Sequence, residues 1–226
     1  MIDGRCYHTV IWDWNGTLLD DVHLALRIAN DIFAENDLAR ISREHYTRIF
    51  DFPVKKYYET AGLFLSDARF ESISERFCDE FEADLSSAAL FPFTEQVLTD
   101  IKAQGLKQFV LSGTEHPRLG RMLDRFKLSS LFHGIKGMSD GLAHGKITAA
   151  EEMVDEYQIE AAGSIMVGDT SHDYEVAKAL GMDCVLVSSS HQSFERLSVL
   201  GCPVYPSLSG VQDHLLKVVP APESSN

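Results

Sequence analysis

From Phe91 onward, short apolar segments alternate with amphipathic helical segments, and this alternation constrains the fold more than any other feature of the sequence. Short apolar strands that alternate with helices are typical of a parallel sheet covered on both faces. The sequence therefore predicts an α/β fold. Strands are predicted at 107–111, 131–136, 164–167, 184–187 and 204–205, and helices at 94–103, 117–126, 147–157, 173–180 and 211–218.

The first predicted strand lies far upstream, at residues 7–12, and ends in the carboxylate of Asp13. Gly16 permits a sharp turn after the strand, and Thr17 can donate a hydrogen bond to the carboxylate. An acid held at the carboxyl end of a parallel strand is well placed to act as a nucleophile. Asp, Asn and Gly are also common turn residues, so this stretch alone leaves open that Asp13 only supports a turn.

Between the first strand and Phe91 the chain is predicted to be all helical. Helices are expected at 21–36, with Asp21 as N-cap, at 42–50, at 53–61 and from Ser66 onward. The helical block at residues 20–88 therefore interrupts a sheet domain that comprises residues 1–19 and 89–226. An insertion of this kind can act as a lid that excludes water and selects substrates.

Composition excludes several classes of partner. A formal net charge of −14 opposes general binding to DNA, RNA or anionic lipid, and no apolar run is long enough to cross a membrane. The four cysteines are widely spaced and no secretory signal is visible, so reduced thiols in the cytoplasm are expected. A small anionic substrate remains compatible with the charge if a divalent metal ion or a well-placed lysine offsets it.

Polar groups also follow or precede other predicted elements of the sheet domain. Each has an ordinary explanation by itself, as a turn, a solvated lysine or a loop. Together with Asp13 they supply a nucleophile, groups that hold phosphoryl oxygens, a cation and ligands for Mg²⁺, which phosphoryl transfer requires. These groups are Ser112 and Gly113 after strand 107–111, Lys146 after Gly145, and Asp169 and Asp173 after strand 164–167.

In this order and at these separations, the motifs resemble those of the haloacid dehalogenase superfamily. DWNGT resembles its first motif, LSG its second, Lys146 its third and GDTSHD its fourth, and the likeness extends from about residue 7 to 215. The resemblance implies a Rossmann-like parallel sheet core with an inserted all-helical cap domain. It also implies a phosphatase of the capped group that includes phosphoglycolate phosphatases.

The same resemblance implies roles for the motif residues. Asp13 would be the nucleophile that forms an aspartyl-phosphate. Mg²⁺ would bind the Asp13 and Asp169 carboxylates and the backbone carbonyl of Asn15, with support from Asp173. Ser112, Gly113 and Lys146 would hold the phosphoryl oxygens, and Lys146 would also offset the repulsion between Asp13 and an anionic substrate.

Asn15 departs from the usual pattern of the phosphatases in this superfamily. They usually carry Asp at this position, which protonates the leaving oxygen and then activates water. An amide can do neither at neutral pH. His172 and His116 are candidates for a substitute acid.

The sequence thus favours a Mg²⁺-dependent phosphohydrolase of the phosphoglycolate phosphatase type that acts on a small phosphorylated metabolite. An alternative is a phospho-ligand binding or regulatory protein that has lost turnover together with the acid at Asn15. A response-regulator receiver is a third interpretation, but the helical insertion argues against it. Substrate specificity would lie in the cap, where Arg48, Lys55 and Lys56 are candidates, and the sequence does not indicate any protein partner.

Overall fold

A computed structural model describes residues 7–138 and 145–218. Six strands form one sheet in the order β5-β4-β1-β6-β7-β8, and all neighbouring pairs are parallel. The predicted α/β fold is therefore confirmed. The strands are β1 (Thr9–Trp12), β4 (Lys107–Glu115), β5 (Gly134–Met138), β6 (Ser164–Gly168), β7 (Asp183–Val187) and β8 (Val204–Tyr205).

Strand β1 lies at the centre of this sheet, between β4 and β6. Val10 and Trp12 pack into one hydrophobic cluster, and Ile11 packs into a second cluster on the opposite face. This alternation follows from the two-residue period of a strand, and it shows that both faces are buried. Because the strands are parallel, their carboxyl ends meet at the same edge of the sheet.

Helices cover both faces of the sheet. Buried residues of α5, α6 and α10 belong to the cluster that contains Trp12, whereas those of α7, α8 and α9 belong to the cluster that contains Ile11. The helices of this part are α5 (Thr94–Ala103), α6 (His116–Arg125), α7 (Lys146–Tyr157), α8 (Ser171–Leu180), α9 (Phe194–Leu197) and α10 (Leu208–Val218).

Four helices form the inserted all-helical cap domain. They are α1 (Val22–Glu35), α2 (Arg43–Ile49), α3 (Val54–Thr60) and α4 (Asp67–Ala83). A short antiparallel pair, β2 (Leu19–Asp20) and β3 (Ala89–Leu90), joins the two chain crossings between sheet domain and cap. The sequence does not predict this pair of strands, because a two-residue strand is too short to show the alternation of apolar and polar residues. The domain boundaries at residues 20 and 88 stay a prediction.

Three local predictions need correction. Strand β4 extends to Glu115, so Ser112 and Gly113 lie inside a strand and not in a turn after it. Strand β5 begins at Gly134, because residues 129–131 form a 3₁₀ turn where the strand was expected to start. Asp21 occupies the N-cap position of α1, but its side chain makes no capping hydrogen bond.

The described residues include no helix that is long and apolar enough to cross a lipid bilayer. Three of the four cysteines, Cys78, Cys184 and Cys202, are free thiols. The fourth, Cys6, lies outside the described residues.

One buried hydrogen-bonded side chain links the central strands to helix α5. Gln108 is fully buried, its Oε1 accepts a hydrogen bond from Trp12 Nε1 at 3.0 Å, and its Nε2 donates to the carbonyl of Leu98 at 2.8 Å. A buried donor or acceptor that loses its partner costs free energy.

We therefore expect Gln108→Leu to lower the free energy of unfolding by about 1–3 kcal/mol, because it leaves the buried indole N–H of Trp12 unpaired. Urea denaturation measures this loss. The control is Gln96→Leu, whose exposed amide bonds Asp100 on the surface of α5. Equal stabilities of the two variants would contradict the role assigned to Gln108.

Candidate active site

The centre of the site is Asp13, which directly follows β1. Its backbone N–H donates to the carbonyl of Val167 in the adjacent strand at 2.8 Å, so the sheet itself fixes its position. Thr17 Oγ1 donates to Asp13 Oδ2 at 3.3 Å, as the sequence predicts. Asp13 is buried, and its carboxylate therefore depends on its immediate neighbours for stabilisation.

The turn after Asp13 requires glycine at position 16. Gly16 has φ +77°, and a Cβ added there would lie 2.5 Å from Asp169 Oδ2 and closer still to Ser190 and His191. Only glycine adopts this conformation without strain and leaves room for those side chains. The turn therefore brings the backbone against the loop that follows β7.

Lys146 is the buried cation of the site. It is the first residue of α7, and its ammonium donates hydrogen bonds to Asp13 Oδ1 and, at 2.6 Å, to Asp173 Oδ1. Burial lowers the pKa of Lys146, but the two carboxylates outweigh this effect and raise its pKa above the ordinary value. Lys146 therefore carries a positive charge in the folded protein.

Asp173 belongs to the first turn of α8 and is held by that turn. Its Oδ2 accepts hydrogen bonds from the N–H of Thr170 at 3.0 Å, from the hydroxyl of Thr170 at 2.7 Å and from the N–H of Asp169 at 3.2 Å. Burial raises the pKa of Asp173, but the Lys146 ammonium and these hydrogen bonds lower it below its usual range. Asp173 is therefore ionised.

Asp13 and Asp169 experience the opposite balance. Burial is the main cause that raises the pKa of Asp13 to about 8 and the pKa of Asp169 to about 6, and neighbouring carboxylates add to it. For Asp13 the Lys146 ammonium offsets only part of this effect. Without a further cation, Asp13 and Asp169 therefore bind protons more tightly than free aspartates do.

The three carboxylates fit a divalent metal ion. Asp13, Asp169 and Asp173 are buried, and each offers an oxygen atom within 4.8 Å of the other two. Mg²⁺ prefers carboxylate oxygens, and a divalent charge would relieve the crowding that raises the pKa of Asp13 and Asp169. The residue types and their spacing are thus those of a hard-cation site.

The structure brings the seven residues that the sequence predicts for nucleophile, phosphate and metal roles to one cavity of about 210 Å³. Ser112 and Gly113 reach it from within β4, and Ser112 Oγ accepts a hydrogen bond from the N–H of Thr114 at 3.1 Å. The predicted residues in its wall are Asp13, Asn15, Ser112, Gly113, Lys146, Asp169 and Asp173.

The Asn15 amide is held in one orientation by partners on both sides. Its Nδ2 donates to Asp21 Oδ2 at 2.9 Å, and its Oδ1 accepts from Thr114 Oγ1 at 2.8 Å and from Ser112 Oγ at 3.5 Å. The ionised carboxylate of Asp21 can accept the hydrogen bond from Asn15 Nδ2. If position 15 were an aspartate, neither carboxylate could donate a hydrogen bond to the other. Asn15 therefore matches Asp21 in a way that a second ionised carboxylate would not.

Sequence reasoning missed two residues of this site, Asp21 and His191. Asp21 Oδ1 accepts from the N–H of Gly16 at 2.8 Å and lies 3.3 Å from His191 Nε2. Burial lowers the pKa of His191, but Asp21 outweighs it and the pKa is raised to about 9. His191 Nδ1 lies 2.7 Å from the hydroxyl of Tyr46 in the cap. Its position in the sequence could have indicated His191, because it follows the carboxyl end of strand β7 as Asp13 follows that of strand β1.

Of the two histidines predicted as substitute acids, only His172 is among the residues that line the cavity. Its Nε2 is buried and has no hydrogen-bond partner among the described residues, and its Nδ1 lies 3.3 Å from Glu175 Oε2. His116 instead accepts a hydrogen bond from the N–H of Gly137 through Nδ1. The predicted specificity residues Arg48, Lys55 and Lys56 do not line this cavity.

Comparison with known proteins gives a match to the sequence profile of a family described as haloacid dehalogenase-like hydrolase, over residues 10–187. A phosphoglycolate phosphatase from Synechococcus elongatus is 25% identical over 86% of this chain and 89% of its own length. The tyrosine-protein kinase PtkA from Mycobacterium tuberculosis is 28% identical over 81% of this chain, which spans 63% of that relative.

Solved structures show the same fold. The crystal structure of a predicted phosphatase from Clostridium acetobutylicum superposes with a TM-score of 0.83. The superposition covers 94% of this chain and 100% of that chain at 20% sequence identity. At this identity the likeness supports the architecture and does not identify a substrate.

The carboxylate charges generate a pH-dependent stability. In metal-free protein, Asp13 and Asp169 hold protons more tightly when folded than when unfolded, so stability falls as pH rises from about 4 to about 8. A metal ion binds the ionised carboxylates, so Mg²⁺ should raise the Tm more at pH 8 than at pH 5. Thermal melts with Mg²⁺ and with a chelator measure both effects.

The control for this prediction is Asp155→Asn. Asp155 is an exposed residue of α7 outside the cavity, so this variant should keep the full Tm increase by Mg²⁺. Asp169→Asn should lose it. A Tm increase by Mg²⁺ that survives in Asp169→Asn would show that the ion binds elsewhere.

Proposed function

Because the chain belongs to the haloacid dehalogenase-like hydrolase family, we propose that it is a Mg²⁺-dependent phosphohydrolase that acts on a small phosphorylated metabolite through an aspartyl-phosphate on Asp13. The observation that carries the proposal is the buried Asp13 carboxylate, which the Lys146 ammonium contacts at the carboxyl edge of the sheet. The phosphatase names of relatives add support. No nucleic acid or membrane is part of the proposal.

The proposed reaction begins when a carboxylate oxygen of Asp13 attacks phosphorus, so that an O–P bond forms while the bond to the leaving oxygen breaks. Lys146, the Ser112 hydroxyl and the backbone at Gly113 hold the phosphoryl oxygens and offset their charge. Water then hydrolyses the acyl phosphate, which releases phosphate and restores Asp13. When bound by Asp13, Asp169, Asp173 and the carbonyl of Asn15, Mg²⁺ would supply positive charge for the phosphoryl group.

In this proposal the cap covers the reacting groups and excludes water from them. We assign residues 20–88 to the cap and residues 1–19 and 89–226 to the sheet domain. The cap lies closed over Asp13, since Tyr46 contacts His191 and the N–H of Ser193 donates to the carbonyl of Thr47 at 3.1 Å. A closed cap excludes water from the reacting groups. The free thiols of the described residues support a cytoplasmic location.

A phospho-ligand binding or regulatory protein is the alternative, and one observation favours it: Asn15 cannot serve as the acid. The relatives also carry two different names, a phosphatase and a kinase, so this fold by itself does not decide the chemistry. A binding protein has no need of a nucleophile, however, and the Asp13, Lys146 and Asp173 arrangement favours an enzyme.

We expect Asp13→Asn to abolish turnover while the protein stays folded, because an amide is not a nucleophile and Lys146 keeps its hydrogen bond to Asp173. Phosphate release from a panel of phosphorylated metabolites, with and without Mg²⁺, measures the loss. Beryllium fluoride should form its adduct on Asp13 in the parent protein and not in the variant.

The matched control is again Asp155→Asn, which should retain full activity. Turnover that persists in Asp13→Asn would reject the mechanism. A parent protein that binds phosphate esters but releases no phosphate from any of them would instead establish the binding-protein alternative.

The Asn15 and Asp21 pair yields a second test. In Asn15→Asp alone, the new carboxylate faces Asp21 at hydrogen-bond distance, and the two like charges repel. The exchange Asn15→Asp together with Asp21→Asn restores a donor and an acceptor across the same gap. General acid help is typically worth about 10²–10⁴-fold, so the exchange should raise kcat/KM for an alkyl phosphate far more than for an aryl phosphate.

Asp21→Asn alone is the control for that exchange, since it alters the pair without adding an acid. Steady-state rates for one alkyl and one aryl phosphate are compared in all four proteins. If the alkyl rate falls in the exchanged protein, or both rates rise equally, the site already has another acid.

A further inference from the structure

We propose that the substrate of this site is a small phosphate monoester whose body is a single aromatic ring or an arylalkyl group without a second negative charge. This inference rests on the proposed function and names its substrate class. It follows from the cap side of the cavity, from its charged groups, from its volume and from the chemistry at Asn15.

The cap side of the cavity is walled by aromatic rings. Eight phenylalanine and tyrosine residues of the cap line it, and several of their rings contact one another edge to face, as those of Phe50 and Tyr57 do with centroids 5.4 Å apart. Tyr57, Tyr58 and Phe70 are buried. Rings in these arrangements bind another ring through dispersion and through the same edge-to-face geometry. An aromatic substrate body is therefore matched to this wall.

The cations that line the cavity are already engaged. Lys146 contacts two carboxylates of the proposed reaction centre. Arg118, which projects from α6, lies 2.8 Å from Asp79, 3.1 Å from Glu82 and 3.1 Å from Glu115. Its guanidinium thus lies among three carboxylates that offset its positive charge, while Nη1 makes no hydrogen bond to the described residues.

Glu115 itself lines the cavity and adds a negative charge there. A substrate with a carboxylate or a second phosphate would meet this charge beside an arginine whose own charge three carboxylates already offset. Phosphoglycolate carries such a carboxylate, so the cavity disfavours it.

Three polar groups of cavity-lining residues remain available. The Tyr57 hydroxyl, His172 Nε2 and Arg118 Nη1 are buried and have no hydrogen-bond partner among the described residues. Buried polar atoms are nearly always hydrogen-bonded in native proteins. A neutral substituent on the ring, such as a hydroxyl or an amide, would satisfy them.

The volume of the cavity and the presence of Asn15 in place of an acid both favour an aromatic phosphate monoester. An apolar cavity of about 150 Å³ holds benzene, and drug-sized ligands need about 300–1,000 Å³. The cavity of about 210 Å³ therefore suits a phosphoryl group with one ring. An aryl oxygen also leaves as a stable anion, so a site with Asn15 in place of an acid can release it.

The test separates the substrate body from the leaving group. Benzyl phosphate and phosphoglycolate both lose an alkyl oxygen, but only the second carries a carboxylate. We expect kcat/KM for benzyl phosphate to exceed that for phosphoglycolate about tenfold or more, mainly through KM, with phenyl phosphate higher still. Equal values, or a preference for phosphoglycolate, would overturn the inference.

Variants test the walls directly. Glu115→Gln removes the cavity carboxylate and one partner of Arg118, so it should raise kcat/KM for phosphoglycolate relative to kcat/KM for benzyl phosphate. Phe77→Ala should raise KM for benzyl phosphate. Phe64→Ala is its control, since Phe64 is exposed on the cap and lies outside the cavity. Equal effects of the two phenylalanine variants would contradict a role for the aromatic wall.

Binding is measured separately, so that failure of the proposed function is distinguishable. Benzylphosphonate and phosphonoacetate resemble the two substrates but lack the scissile oxygen. Benzylphosphonate should raise the Tm of the Mg²⁺-loaded protein more than phosphonoacetate does at equal concentration. If no ester is hydrolysed, the proposed function fails. The Tm shifts with the two phosphonates still show whether the cavity prefers an aromatic or a carboxylate-bearing ligand. A larger shift with phosphonoacetate would overturn the inference.

Discussion

The contact between Lys146 and the carboxylates of Asp13 and Asp173 is the interaction on which the rest of the site depends. Three elements meet there, since Asp13 follows β1, Lys146 begins α7 and Asp173 lies in α8. Removing one partner from a buried ion pair costs about 3–5 kcal/mol, because the remaining charge is left without compensation. Burial and the neighbouring carboxylates together raise the pKa of Asp13, and the single Lys146 ammonium offsets only part of this effect. Additional positive charge would therefore stabilise the ionised carboxylate of Asp13.

A second buried network connects this centre to the cap. Asn15, Asp21, His191 and Tyr46 form a continuous chain of contacts from the loop after β1 to helix α2. The backbone N–H of His191 also donates to Asp169 at 2.9 Å, so the closed position of the cap and the carboxylate cluster share a residue. In this setting Asn15 is not simply an acid that has been lost. It is the neutral partner that donates a hydrogen bond to a carboxylate, Asp21, beside the proposed reaction centre.

The cavity between cap and sheet combines two environments within a small volume. Its floor is ionic, with the carboxylates and Lys146, whereas its cap side is aromatic. The Arg118 guanidinium in its wall is neutralised by three carboxylates. Binding a phosphoryl group at the floor and an uncharged ring at the wall would use both environments without burying an unpaired charge. A chain with a net charge of −14 can therefore bind an anion only where the floor supplies local cations.

Most strands and helices of the sheet domain, and the meeting of Asp13, Ser112, Lys146, Asp169 and Asp173 in one cavity, could be predicted from the sequence alone. Local periodicity identifies the elements, and the rule that parallel strands end at one edge brings their polar termini together. The contact of Asp21 with His191, 170 residues away, depends on the tertiary fold, whereas local rules assign Asp21 to a helix cap. The tertiary fold also decided that Arg118 is neutralised and that Arg48, Lys55 and Lys56 lie outside the cavity. Contacts between residues so distant in sequence depend on how the cap packs against the sheet, and no local pattern of residues encodes that packing.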